Sequence, residues 1–361
     1  MGFFAVAGLI LFFLQSAIGA WFYFCFPKIG WKLPILLLPL CTGLFLNFAL
    51  SYTRTHYGTW ESILYFLAYT LAGLIFIFFF LVVSFAFLQG ILALAHIPSR
   101  KFMIWLSMGM LVLTAALSVY GGLKNPQIKH LDIAIPQAPD MKIAVISDAH
   151  LGIGVSLRRF QKALDLIASQ KPDAVLVLGD LFEYGPHREK YAQALARLQT
   201  KYGTFGVLGN HEYYTGLEKS LEFYRQANIY PLRNEIRMLP NGVQLIGVND
   251  IATSRLLPQQ LHMLLENTHP QRPRILLSHQ PLYTDIAARH EIPLMISGHT
   301  HNGQIFPFQF FVKLKYPYVY GWYDLSAKSK IYVTSGMFYW GMPLRFFSSS
   351  EIPLIHLKAN D

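Results

Sequence analysis

The stretch MKIAVISDAHLG, residues 141–152, decides how the chain is read. Ile143, Ala144, Val145 and Ile146 form a short apolar run suited to a buried β-strand, and Ser147-Asp148-Ala149-His150 breaks it. Packing gives little reason to place a carboxylate and an imidazole two residues apart at the end of such a strand. A divalent metal ion does, because hard-to-borderline cations accept carboxylate oxygen and imidazole nitrogen together. A single Asp-x-His is a weak signal. It gains weight because the chain repeats the pattern.

Four more apolar runs end the same way. Residues 174–178 run into Gly179-Asp180, and residues 205–208 into Gly209-Asn210-His211-Glu212. Residues 275–277 run into Ser278-His279, and residues 294–296 into Ser297-Gly298-His299-Thr300-His301. Helical patterns lie between them. Ser156 is a fitting N-cap for a helix with Leu157, Phe160, Leu164 and Ile167 on one face, and residues 191–198 also read as helix. The alternation predicts a layered α/β domain. In open α/β sheets ligands bind beyond the carboxyl ends of the strands, so five loops far apart in sequence converge on one crevice. Gly179, Gly209 and Gly298 suit the tight turns this requires.

Upstream of this region the composition changes. The first 121 residues hold five of the chain's 30 Lys and Arg (Lys28, Lys32, Arg54, Arg100, Lys101) and one of its 20 acids, Glu61. They also hold both cysteines, Cys25 and Cys41, so the remainder has neither a disulfide nor a Cys-based zinc site. Residues 2–26, 33–52, 62–95 and 102–120 are expected to be four membrane spans. The third is one apolar run of 34 residues, about 50 Å as a helix, and is expected to be a single tilted span. Four spans put both ends of the block on one face. Lys28, Lys32, Arg100 and Lys101 against Arg54, Lys124 and Lys129 lean the catalytic domain toward the outside of a bacterial cell membrane. The expected organisation is a transmembrane anchor block over 1–121, a linker over 122–140 marked by Gly122, Asn125-Pro126 and Pro136, and a catalytic domain over 141–361. The formal net charge of +10 suits anionic lipid or an anionic substrate. No Lys/Arg run with interleaved aromatics is present, so nucleic-acid binding is not expected.

D-x-H, G-D, G-N-H-E, a lone His after a strand and G-H-T-H, in this order, resemble the calcineurin-like metallophosphoesterases. The blocks here are Asp148/His150, Asp180, Asn210/His211, His279 and His299/His301. The continuation G-H-T-H-N-G-Q, with Gly336, Pro343, Arg345 and Glu351, is similar to the membrane-associated or exported branch of that family. Ala149, and Asn302 where that branch usually has Gly, depart from its pattern without replacing a ligand.

The resemblance implies an α/β/β/α sandwich and two divalent cations, of Mn, Fe or Zn. Asp148, His150, Asp180 and His301 would hold one. Asp180, Asn210, His279 and His299 would hold the other, with Asp180 as the bridge. It also implies attack by a metal-bridging hydroxide, with His211 stabilising or protonating the leaving group. Glu212 reads as an outer or solvated residue, and His187, His262, His269, His290 and His356 as surface or packing residues.

Between the last of these motifs and the C-terminus aromatics crowd: Phe306, Phe308, Phe310, Phe311, Tyr316, Tyr318, Tyr320, Trp322, Tyr323, Phe338, Tyr339 and Trp340, with Lys313, Lys315 and Arg345 among them. One reading is a sheet core with one aromatic loop. The other is an apolar rim dipping into the bilayer, which favours a lipid or nucleotide-linked lipid phosphate ester. The leading function is a membrane-anchored phosphoesterase acting on a diester or pyrophosphate. The alternatives are a phosphoprotein phosphatase, a non-catalytic metal-binding sensor or membrane scaffold, and a transporter. The charge-free cores of the spans speak against transport.

Overall fold

The computed structural model of the chain describes residues 2–27 and 32–359. It divides into two compact units. One, the helical unit, comprises Met1–Leu123 with two later segments, Ile305–Pro307 and Gly341–Phe347; the other comprises Lys124–Gln304, Phe308–Trp340 and Ser348–Asp361.

The helical unit has α1 (Gly2–Cys25), α2 (Lys32–Tyr52), α3 (Thr59–Leu94) and α4 (Arg100–Leu123). Small residues let the helices approach: Ala49, Ala68 and Ala72 are buried together with Leu46 and Ile75. Leu344 is buried with Ile77 and Ile305, and the Arg345 N–H donates to the Ser118 carbonyl at 2.9 Å. A Cβ on Gly73 would collide with Leu344, and one on Gly122 with the Pro343 carbonyl, so both helices need glycine where this segment packs.

The expectation of four spans is corrected. Among the described residues, three helices are long and apolar enough to cross a membrane: Gly8–Cys25, Thr59–Leu94 and Arg100–Leu123. Helix α2 carries Pro39 in its interior, and its described apolar part is Leu37–Tyr52. The first connecting loop, with Lys28, lies outside the described residues. The long apolar run does form one unbroken helix, α3.

The second unit is built, among the described residues, on two six-stranded sheets. Its strands are β1 (Gln127–Ile135), β2 (Met141–Ile146), β3 (Ala174–Val177), β4 (Thr204–Gly206), β5 (Ile229–Pro231), β6 (Glu235–Met238), β7 (Gln244–Gly247), β8 (Arg274–Leu277), β9 (Leu294–Ser297), β10 (Gly321–Ser326), β11 (Ser329–Val333) and β12 (Glu351–Ala359). One sheet has the order β1-β12-β2-β3-β4-β5, the other β10-β11-β9-β8-β7-β6. Strands β2 to β5 run parallel, as do β7, β8, β9 and β11. Both faces of these strands are covered, which is why they read as continuous apolar runs. Ile143, Val145, Leu176, Ile275 and Ile296 meet between the sheets. Ala144, Ile146, Val175 and Val177 face the outer helices carrying Phe160, Ile167, Tyr191 and Phe223. Leu276 and Met295 pack under Leu261, Leu265 and Ile286 on the opposite outer face. These layers give α/β/β/α.

The linker expected over 122–140 is also corrected. Its centre is β1, paired in parallel with β12. Leu131, Ile133 and Ile135 are buried and alternate with exposed residues, so the period-two pattern outweighs the flanking Pro and Gly signals.

Candidate metal centre

Five of the parallel strands deliver the residues that follow them to one crevice. Asp148 and His150 follow β2, Asp180 follows β3, Asn210 and His211 follow β4, His279 follows β8, and His299 and His301 follow β9. The backbone there is unusual for L-residues: φ is +51° at Asp148, +41° at His150, +50° at Asp180, +67° at His299 and +49° at His301. Such left-handed residues each cost on the order of 1 kcal/mol or more, and they persist where the surroundings fix them and function uses them. Glycine is required between them. A Cβ on Gly209 would strike the Asp180 carboxylate, and one on Gly298 would strike Ser147 and Asp148.

The side chains form two groups around Asp180. Asp148, His150 and His301 make one group, and Asp180, His279 and His299 the other. His150 Nε2 lies 3.0 Å from His301 Nε2, and His301 Nε2 lies 3.5 Å from Asp148 Oδ1. His279 Nε2 is 3.1 Å from Asp180 Oδ2, 3.1 Å from Asn210 Oδ1 and 3.2 Å from His299 Nδ1. Asp180 Oδ2 is 3.9 Å from His150 Nε2 as well, so one carboxylate faces both groups. All the residues the motifs singled out are therefore brought together. Most are buried; His299 and His211 are half-buried.

The hydrogen bonds on the far side of three of the four rings show that the donor set fits cations. His150 Nδ1 meets Glu183 Oε1 at 2.6 Å, His279 Nδ1 meets the Leu178 carbonyl at 2.7 Å, and His299 Nε2 meets the Tyr316 hydroxyl at 3.0 Å. Protons on those outer nitrogens leave His150 Nε2, His279 Nε2 and His299 Nδ1 as lone pairs turned inward, next to His301 Nε2. Lone pairs about 3 Å apart repel unless a cation lies between them, whether a proton of the kind Asp180 favours on His279 or a metal ion.

The carboxylates point the same way. Burial raises the Asp148 pKa, and the nearby Asp180 charge adds to that. Burial works the same way on Asp180, but His279, His211 and His150 outweigh it and hold its carboxyl well below the usual range. Against burial, Asp180 likewise holds His279 well above an ordinary histidine. The crevice is thus a region of buried negative charge that attracts positive charge.

Comparison with known sequences finds relatives of this chain. A family model described as calcineurin-like phosphoesterase matches residues 141–303. A metallophosphoesterase from Campylobacter jejuni is 36% identical over 293 residues, covering 78% of this chain and 78% of its own length. The chain belongs to the calcineurin-like metallophosphoesterases. One from Helicobacter pylori is 37% identical over 243 residues, 66% of this chain and 65% of the relative. A Bos taurus protein described as a transmembrane protein with metallophosphoesterase domain is 34% identical over 272 residues, 69% of this chain and 61% of the relative. As a member of this family the chain is a metal-dependent hydrolase of phosphoric esters.

Several residues of the phosphoesterase site were not marked by the strand-end pattern. Glu183 accepts hydrogen bonds from His150 Nδ1 and, at 3.1 Å, from His211 Nδ1. Burial opposes its charge, but the two histidines hold its pKa at about 2. Burial also opposes a charge on His211, yet Asp180 and then Glu183 raise its pKa to about 9.

Glu212 is not a solvated residue. It is buried and accepts from the N–H groups of Gly209, Asp180 and Leu181 at 2.7–2.8 Å, bracing the two loops against each other. Its place three residues after the helix N-cap Gly209 is the sequence signal for that role. Tyr316 donates to Gln280 Oε1 at 2.7 Å, and Gln280 Nε2 donates to the buried Asp250 carboxylate at 2.8 Å. Trp340 is held by Gln304 through two hydrogen bonds and packs 5.7 Å from the His211 ring. His262 and His290 pair at 2.9 Å away from the crevice.

Proposed function

We propose that the chain is a membrane-anchored, dinuclear-metal phosphoesterase that hydrolyses a phosphodiester or pyrophosphate, with lipid-linked phosphate esters as its substrate class. The observation that carries the reading is the position of Asp180, whose single carboxylate faces both ligand groups. Asp148, His150, Asp180 and His301 would hold one divalent cation, and Asp180, Asn210, His279 and His299 the other. Manganese, iron and zinc all suit this mixture of nitrogen and oxygen. When bound, the cations supply positive charge for the phosphoryl oxygens and a water acidified enough to act as nucleophile at neutral pH.

The chain's own residues do the rest. Glu183 fixes the His211 ring through Nδ1, so the proton on Nε2 points toward the crevice, where Nε2 lies 4.0 Å from Asp180 Oδ2. With a pKa of about 9, His211 holds that proton at neutral pH and can give it to the leaving oxygen. The three apolar helices, together with the Bos taurus relative's description as a transmembrane protein, support the membrane anchor.

The test is a substrate comparison on the full chain with Mn²⁺. Bis-(p-nitrophenyl) phosphate, p-nitrophenyl phosphate, a phosphopeptide and vesicle-borne lipid pyrophosphate are offered in parallel. Preference for the diester and the lipid pyrophosphate is expected. Preference for the phosphopeptide would move the reading to a phosphoprotein phosphatase.

A further inference from the structure

Downstream of the last candidate ligand lies a helix that supplies none of the hydrolytic residues. Helix Phe308–Lys315 has no buried residue. Phe310 is 57% exposed, Phe311 49% and Leu314 86%. Lys313 and Lys315 occupy its last turn, and no Asp or Glu stands between Gln304 and Tyr323. A helix on a water-facing surface would turn polar side chains outward. Apolar side chains outward, with lysines at one end and no acid, fit a helix lying in a lipid interface, its ammonium groups among anionic headgroups.

Chain continuity favours the same occupant. The residues that run directly into this helix, Ile305–Pro307, belong to the helical unit, and so do Gly341–Phe347, which come directly after Trp340.

The helix is also tied to the metal centre. The Tyr316 N–H donates to the Val312 carbonyl at 2.9 Å, so Tyr316 rides on the last turn. Its ring is buried, with the hydroxyl 3.0 Å from His299 Nε2 and 2.7 Å from Gln280 Oε1. A shift of the helix therefore shifts the group that orients His299.

We propose that helix Phe308–Lys315 docks in the headgroup interface of an anionic bilayer, and that through Tyr316 this contact steadies His299, so that lipid composition sets how tightly the centre holds metal. The coupling rests on His299 being a ligand; the docking does not.

The test uses the full chain in lipid nanodiscs, either of phosphatidylcholine alone or with phosphatidylglycerol. Cys25 and Cys41 are replaced by Ala, and Leu314→Cys carries an environment-sensitive fluorophore. With phosphatidylglycerol the emission should shift to the blue and be quenched by brominated lipid. Removal of Co²⁺ by a chelator from the unlabelled protein should be several-fold slower than in phosphatidylcholine alone. The Phe310→Ser, Phe311→Ser, Leu314→Ser variant should lose that lipid dependence while releasing Co²⁺ like the unsubstituted protein in phosphatidylcholine.

A fluorophore that stays in water in both lipids overturns the docking and leaves the face to a protein partner or a second copy of the chain. Equal Co²⁺ loss in both lipids, or no Co²⁺ uptake, overturns the coupling. Neither readout uses turnover. Both effects without hydrolysis of any phosphate ester would refute the hydrolase reading and leave this proposal standing.

Discussion

The two halves of the metal centre are built from similar donors but held from behind in different ways. In the half with Asp148, His150 and His301, the outer nitrogen of His150 meets a carboxylate, Glu183, which also meets His211. In the half with His279 and His299, the outer nitrogens meet neutral oxygens: the Leu178 carbonyl and the Tyr316 hydroxyl. A carboxylate behind a histidine raises its basicity and, shared with a second histidine, keeps that one protonated. In the proposed mechanism the first half is therefore the side where charge is moved during the reaction. The second is the side where geometry is held, through a chain of buried hydrogen bonds from His299 to Asp250. Asp180 serves both, and so do the two loops that Glu212 ties together.

The difference can be broken from the first half. Glu183→Gln removes the negative charge from behind both His150 and His211. Turnover is expected to fall about 10- to 100-fold, with the larger loss on substrates whose leaving group needs a proton. His211 is protonated below its pKa of about 9 and loses its proton as the pH rises through it. Without Glu183 that pKa drops, so the alkaline limb of the kcat profile moves to lower pH. A pH–rate profile of both proteins checks this. An unmoved alkaline limb would detach Glu183 from the acid.

A smaller effect is expected in the second half. Tyr316→Phe leaves His299 without its hydroxyl partner while the ring stays packed. Affinity for one of the two metal ions should weaken about tenfold and the other should be unchanged, with the alkaline limb where it was. Metal titration followed by calorimetry separates the two sites. Equal weakening of both would erase the asymmetry.

The same contrast explains what the sequence revealed. The candidate ligands stand at the ends of buried parallel strands, so Asp148, Asp180, Asn210, His279 and His299 announced themselves by interrupting apolar runs. Glu183 and Tyr316 interrupt nothing. They reach the site through loop and helix geometry that only the folded chain displays, and Tyr316 sits in an aromatic stretch where one hydroxyl does not stand out. Strand β1 was visible as an alternation of Leu131, Ile133 and Ile135, but the Pro and Gly residues on both sides made the segment read as a connector. In the helical unit, hydropathy marked each helix, α2 with its Pro34 and Pro39 included.

A shared carboxylate at Asp180 is tested most directly by the metal content and phosphodiesterase activity of the purified full chain beside Asp180→Asn. The unsubstituted chain should carry two divalent ions and hydrolyse bis-(p-nitrophenyl) phosphate, with activity that chelation abolishes and Mn²⁺ restores. The variant should lose bound metal, with activity down about a thousandfold, the size of roughly 4 kcal/mol lost at a buried charge. A variant that keeps both ions and its activity, or an unsubstituted chain that hydrolyses the diester without metal, would contradict the two-metal centre.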